Sequence, residues 1–145
     1  MRSDVKYITK EDALAAVESD ASELEFVSDE LCNDRDVVFM AVTGYERGSY
    51  LEYASETLRA DREIVLCAVR NGAWALEYAS EELRDNKEIV LSAVKDIGFM
   101  LEYASERLRN DKDVVLMAII NEGGGFEYAS ETLQADVEIL EALRK

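Results

Sequence analysis

The segment Glu52-Tyr53-Ala54-Ser55-Glu56 returns as Glu77-Tyr78-Ala79-Ser80-Glu81, as Glu102-Tyr103-Ala104-Ser105-Glu106 and as Glu127-Tyr128-Ala129-Ser130-Glu131, at a spacing of 25 residues each time. A degenerate copy, Glu25-Phe26-Val27-Ser28-Asp29, lies 27 residues before the first, and the two extra residues fall in the loop holding Gly44 and Gly48. Each copy runs on to a leucine (Leu31, Leu58, Leu83, Leu108, Leu133) and then to Asp34, Asp61, Asn86, Asp111 or Asp136. An apolar block follows, clearest as Ile64-Val65-Leu66-Cys67-Ala68-Val69 and Ile89-Val90-Leu91-Ser92-Ala93-Val94. A fixed period of this kind is the signature of a stacked-repeat architecture, in which no single unit can bury its apolar face alone. The alignment also runs backwards: Val17 and Leu24 keep the separation of Val69 and Leu76, so residues 9–24 form an opening half repeat. Full repeats start near residues 25, 52, 77, 102 and 127, and the expectation is a single helical-repeat domain over 1–145.

Each copy reads as helical. Asp61 is an N-cap, its carboxylate placed to accept from first-turn amides, and Glu63 adds negative charge at the positive end of the helix dipole. The apolar block lacks strict alternation, so periodicity alone does not separate buried strand from buried helix. The caps, the recurring alanine and the acidic first turns favour helix. A second, shorter helix is expected from Trp74 to Ala79, followed by a tight turn of 3₁₀ type from Ser80 to Leu83. Gly72, Gly98 and Gly123 mark the joints between long and short helices. Helix-pair repeats generally need about 34 residues, so this shorter period implies one proper α-helix plus a short α or 3₁₀ segment per copy. The predicted fold class is therefore all-α: a short α-solenoid of about five repeats with half-repeat caps. Glu141, standing where interior copies carry Leu66, Leu91 and Leu116, and small Ala13, Ala15 and Ala16 in the opening helix suit the end units.

Composition narrows the function classes. The 145-residue chain carries 32 acidic against 16 basic side chains, a formal charge of −16, with no histidine and no proline. Its hydrophobic share of 48% is too high for a disordered acidic tail. Free nucleic acid and anionic membrane surfaces are poor partners, since both call for clustered Lys and Arg. The absent histidine removes the usual neutral-pH base and the commonest transition-metal ligand. Cys32 and Cys67 lie far apart, with no Cys-x-x-Cys, so no zinc site is expected. Met1 is followed by Arg2-Ser3-Asp4-Val5-Lys6 without a signal-length apolar run, and the longest apolar stretches are too short to span a bilayer. The expectation is a cytoplasmic protein from a reducing compartment.

Asn86-Lys87-Glu88-Ile89-Val90-Leu91-Ser92-Ala93-Val94 with Leu101-Glu102-Tyr103-Ala104-Ser105-Glu106-Arg107-Leu108-Arg109 resembles the tandem helical-repeat family called domain of unknown function 4116, over most of the chain. The resemblance implies a helical array of a kind found in protists, algae, large viruses and bacteria, secreted effectors of intracellular pathogens among them. Delivery into a host cytosol as an effector is thus the alternative localisation. The family has no assigned chemistry, so the resemblance carries over no catalytic residue and no cofactor. The chain departs from the family's pattern at Ala73, where glycine is expected, and in Gly123-Gly124-Gly125.

Candidate sites are few. Ser28, Ser55, Ser80, Ser105 and Ser130 have no histidine to activate them and read as turn or capping residues. Tyr53, Tyr78, Tyr103 and Tyr128 form a ladder packed on the core with hydroxyls at the rim. Asp34-Arg35-Asp36 and Asp111-Lys112-Asp113 open like calcium loops, but Val37-Val38 and Val114-Val115 follow where ligands and the turn glycine should stand. The Gly123–Gly125 run lacks the Lys-Ser/Thr of a phosphate loop and reads as a flexible joint. Cys67 shares its position with Ser92 and Met117, which points to packing. No catalytic, cofactor or metal residue is expected.

Charge offers more. Stacked copies about 10 Å apart would align Glu52/Glu77/Glu102/Glu127, Glu56/Glu81/Glu106/Glu131 and Glu63/Glu88/Asp113/Glu138 into ladders. Arg59/Arg84/Arg109 and Arg62/Lys87/Lys112 are the expected counter-ladders, ending at Gln134 and Val137. Ser49, Trp74, Phe99 and Gly124 share one register before the short helix. Trp74 and Phe99 anchor a partner if exposed and fill a joint if buried. The expected role is a non-enzymatic interaction or scaffold module for an unidentified protein with a basic surface, through Trp74, Phe99, Glu52, Glu77, Glu102 and Glu127. The alternatives are a structural array, or a fragment of a larger effector-type protein, with no independent binding. An enzyme working through carboxylates alone ranks last. Self-association through the array ends stays open.

Overall fold

The protein is described by a computed structural model over residues 5–44, 50–120 and 124–144. Gly48, Ser49 and Gly123, assigned above to joints, lie outside the described residues, as do Met1–Asp4. The chain divides into two compact units, Met1–Ser80 and Glu81–Lys145. Both are all-α repeats; among the described residues the only β pairing is an isolated bridge between Tyr7 and Val27.

The first unit stacks long helices Lys10–Ser19, Arg35–Thr43 and Arg62–Asn71 in order, with 3₁₀ helices Ala21–Phe26, Tyr50–Tyr53 and Ala73–Tyr78 stacked beside them. The second stacks Lys87–Asp96, Lys112–Ile120 and Val137–Ala142, with 3₁₀ helices Gly98–Tyr103 and Phe126–Tyr128. One-turn α-helices Glu56–Arg59, Glu81–Arg84, Glu106–Arg109 and Glu131–Gln134 complete the repeats. The order of helix types differs from expectation in one respect. The Trp74 segment is 3₁₀, while the turn after Ser80, expected to be 3₁₀, is α-helical. A 3₁₀ helix rises about 2.0 Å per residue against 1.5 Å, so six residues cross the distance an α-helix needs eight for. That economy fits two helical layers into the short period.

The long helices start as expected. Asp34, Asp61, Asn86, Asp111 and Asp136 each accept from the backbone amides two and three residues on, at 2.9–3.3 Å. Adjacent pairs Val37-Val38, Ile64-Val65, Ile89-Val90 and Val114-Val115 are wholly buried, as are Leu24, Leu51, Leu76 and Leu101 of the 3₁₀ helices. In the register of Leu66, Leu91, Leu116 and Glu141, Leu66 is buried, Leu91 and Leu116 are half-buried and Glu141 is exposed. In the second unit that register therefore marks the outer margin of the long helices and not the face between repeats. The inter-repeat register is Val65, Val90 and Val115, which are buried, against Leu140, which is exposed.

The serines do more than cap. Ser55, Ser105 and Ser130 accept from the amides of Leu58, Leu108 and Leu133 at 3.2–3.3 Å. Their own amides donate to the preceding repeat: Ser55 to Cys32 O, Ser105 to Arg84 O and Ser130 to Arg109 O, at 2.9–3.0 Å. Ser80 to Arg59 O and Ser28 to Tyr7 O continue the pattern. The Ser55 and Ser130 hydroxyls also donate to Asn33 Oδ1 and Asn110 Oδ1 at 2.6 Å, and that of Ser105 donates to Asp85. One residue type thus starts a helix and fastens it to its predecessor.

The glycine run is no flexible joint where it is described. Gly124 and Gly125 are buried, Gly125 has φ 85°, and both lie against Gly98. Ala73, in the register of Gly98, is buried at the start of its 3₁₀ helix.

Candidate interaction surface

A 3₁₀ helix has three residues per turn, so positions i and i+3 eclipse. In Ala73–Tyr78 this places Trp74 and Glu77 on one edge, while Ala73, Ala75 and Leu76 turn inward. In Gly98–Tyr103 it does the same for Phe99 and Glu102, over buried Gly98, Met100 and Leu101. Trp74 is 47% exposed and Phe99 50%. Of the two readings open from sequence, the structure gives the exposed one for both. Gly124, in the same register, is buried.

Carboxylates and tyrosines interleave along the 3₁₀ edge of each unit. In the first unit Glu52 and Glu77 flank Tyr78, whose hydroxyl pKa is raised by burial and by those two charges. In the second, Glu102 and Glu127 flank Tyr128, raised by burial, by both charges and by hydrogen bonds to both carboxylates. All four glutamates are exposed and the tyrosines are half-buried, as the ladder reading expects. The Phe99 ring meets Tyr128 edge-to-face, with centroids 6.4 Å apart. Beside Tyr128 runs an open groove of about 490 Å³, lined also by Glu106, Arg109, Ser130 and Glu131.

A second charge system sits at the long-helix starts, in the register of the expected ladder Glu63/Glu88/Asp113/Glu138 and its counter-ladder Arg62/Lys87/Lys112, but it pairs from one helix to the next cap, which the sequence did not indicate. Within each unit the cation opening a long helix reaches forward to the cap and first-turn acid of the next. Lys10 pairs with Asp34 and Asp36 at 2.9 and 2.6 Å, and Arg35 with Asp61 at 3.4 Å and with Glu63. Lys87 pairs with Asp111 and Asp113 at 2.8 and 2.9 Å, and Lys112 with Asp136 and Glu138 at 3.0 and 2.7 Å. Asp136 and Glu138 therefore keep a basic partner although Val137 replaces the cation of their own helix. The other expected counter-ladder is not a solvated one: Arg59, Arg84 and Arg109 are half-buried, each Nε enclosed without a hydrogen-bond partner. In their register Gln134 donates to the carbonyls of Phe126, Glu127 and Ala129.

These clamps give stability a pH dependence. Partial burial works to raise the pKa of Asp34, Asp61 and Asp111, but the paired cations and the helix-start amides outweigh it and hold all three below the ordinary value. Asp136 is lowered chiefly by Lys112. A carboxyl whose folded pKa lies below its unfolded one contributes stability above the unfolded value and loses it as pH falls towards the folded value. Thermal midpoints should therefore hold steady near neutrality and drop between about pH 5 and pH 3. Asp61→Asn and Asp111→Asn together, which keep the cap but remove the charge, should flatten that drop in a scan of melting temperature against pH.

Cys67 is half-buried and Cys32 buried, both as free thiols, and burial pushes the Cys67 thiol up. Among the described residues no group of His, Cys, Asp and Glu could hold a metal ion, and no helix is long and apolar enough to cross a membrane.

Stacked long, 3₁₀ and one-turn helices fastened copy to copy define a helical-repeat protein. Residues 9–47, 45–84 and 86–134 match the family model described as Domain of unknown function (DUF4116), and the chain belongs to that family. Neither a curated protein nor a solved structure matches it.

Proposed function

We propose that this protein is a non-enzymatic interaction or scaffold module whose 3₁₀ edge docks a partner protein with a basic surface. The observation that carries this reading is the pairing, within a 3₁₀ helix of each unit, of an exposed aromatic with an exposed carboxylate on the same edge: Trp74 with Glu77, and Phe99 with Glu102. Large exposed rings cost solvation, and beside charge of one sign they give an anchor together with electrostatic complementarity. Acids at the helix starts hold the repeats to one another, whereas Glu52, Glu77, Glu102 and Glu127 point their charge outward. The absence of histidine from the chain favours binding over catalysis. The free thiols and the short apolar runs fit a cytoplasmic setting.

The test uses a defined basic protein such as lysozyme as the probe. Binding measured by calorimetry should weaken by at least about tenfold between 0.1 and 1 M salt, as the screening length falls from about 10 to 3 Å. Charge reversal at Glu52, Glu77 and Glu102 should abolish it. Binding indifferent to both salt and reversal would remove the electrostatic basis. Absence of any binding would favour a purely structural array.

A further inference from the structure

We propose that each exposed ring is an arginine slot: Trp74 with Glu77 and Glu52 in the first unit, and Phe99 with Glu102 and Glu127 in the second, each receiving an arginine side chain from a basic partner segment. The inference rests on the interaction reading above and sharpens it from basic surface to one side chain.

One 3₁₀ turn rises about 6 Å, so the carboxylate stem of Glu77 or Glu102 starts one turn from the ring on the same edge. A cation over an aromatic face acts within about 6 Å of the centroid, so one guanidinium can cover the ring and reach the acid together. Arginine suits this better than lysine, because its planar group stacks on a ring while its fork donates two parallel hydrogen bonds to a carboxylate. An ammonium has neither the plane nor the fork. The edge-to-face contact of Phe99 with Tyr128 holds the ring in place, so little rotamer freedom remains to be lost on binding. The same composition occurs in both units with different rings, which argues against an incidental surface phenylalanine. The groove beside Tyr128, with Glu106 and Glu131 along it, gives the chain that carries the arginine a concave acidic path past the second slot, Arg109 being the one basic residue among its described lining residues.

Trp74 is the only tryptophan in the chain, so its fluorescence reads the first slot directly. The probes are hexa-arginine and hexa-lysine peptides of equal charge, titrated at the same salt. Hexa-arginine is expected to quench Trp74 and to bind about fivefold or more tighter than hexa-lysine. The exposed-site variant Trp74→Leu/Phe99→Leu, followed by calorimetry, should weaken hexa-arginine several times more than hexa-lysine, so that the preference for arginine disappears. Circular dichroism checks that this variant keeps its helix content, and Phe99→Tyr, which retains a ring, should retain the preference. Equal affinity of the two peptides, with loss only on Glu52, Glu77, Glu102 and Glu127→Gln, overturns the arginine slot while leaving the acidic interaction reading intact. No binding of either peptide overturns both.

Discussion

Gly98→Ala should destabilise the second unit by about 3 kcal/mol or more, at the top of the range for overpacked sites. A Cβ at Gly98 would stand 2.1 Å from Ala118 O, 2.5 Å from Gly124 O and 3.0 Å from the Gly124 carbonyl carbon. All three are backbone atoms, so no side-chain rotation relieves the clash; either the Lys112–Ile120 helix end or the Gly124-Gly125 turn must move. Gly44→Ala is the control, since its Cβ would meet only Ala21 Cβ at 3.3 Å and Ala41 O at 3.4 Å, and it should change stability by under about 1 kcal/mol. Ala73 occupies the same register as Gly98 and is accommodated, so the requirement comes from the close approach of Gly124 and Gly125 and not from the 3₁₀ helix itself. Amide hydrogen exchange over residues 87–120 measures the effect in the unit concerned. Unchanged protection in the variant would mean that the close approach is not needed.

That example shows where sequence reasoning succeeds and where it stops. Period, caps and apolar blocks are properties of one copy, and they were legible: Asp61 and its counterparts cap as their residue types require. Contacts between copies leave no local pattern. The forward reach of Lys87 to Asp111 and Asp113, the Ser130 amide on Arg109 O, and the glycine-on-glycine approach at Gly98 all depend on how far one repeat is displaced from the next. A run of three glycines then reads as slack when two of its members are packed. The candidate surface was half legible. Sequence placed Trp74, Phe99 and the glutamates in common registers, but exposure of the rings depended on the short helix being 3₁₀, whose three-residue turn sets Trp74 and Phe99 beside the outward glutamates.

The same limit governs the apolar blocks, and a pair of substitutions tests it. Ile89→Ala should cost about 3–4 kcal/mol, whereas Leu91→Ala, removing a side chain of equal size two residues on, should cost about 1 kcal/mol. By composition both sit in an unbroken apolar run and look alike. In the helix Lys87–Asp96, however, Ile89, Val90, Ala93 and Val94 form the inward face, while Leu91 and Ser92 lie on the margin. Ile89 is fully enclosed, so its loss leaves a cavity walled by neighbouring helices in addition to the lost transfer energy. Half-buried Leu91 leaves space that water fills, and only part of its transfer energy was gained on folding. Urea unfolding of the two variants, at unchanged m-value, separates the accounts. Equal losses at both sites would mean that the whole run is covered, as an all-round apolar helix suggests. A loss several times larger at Ile89 means that this helix is buried along one broad face only, and that the outer row of Leu91 and Leu116 contributes little to holding the repeats of the second unit together.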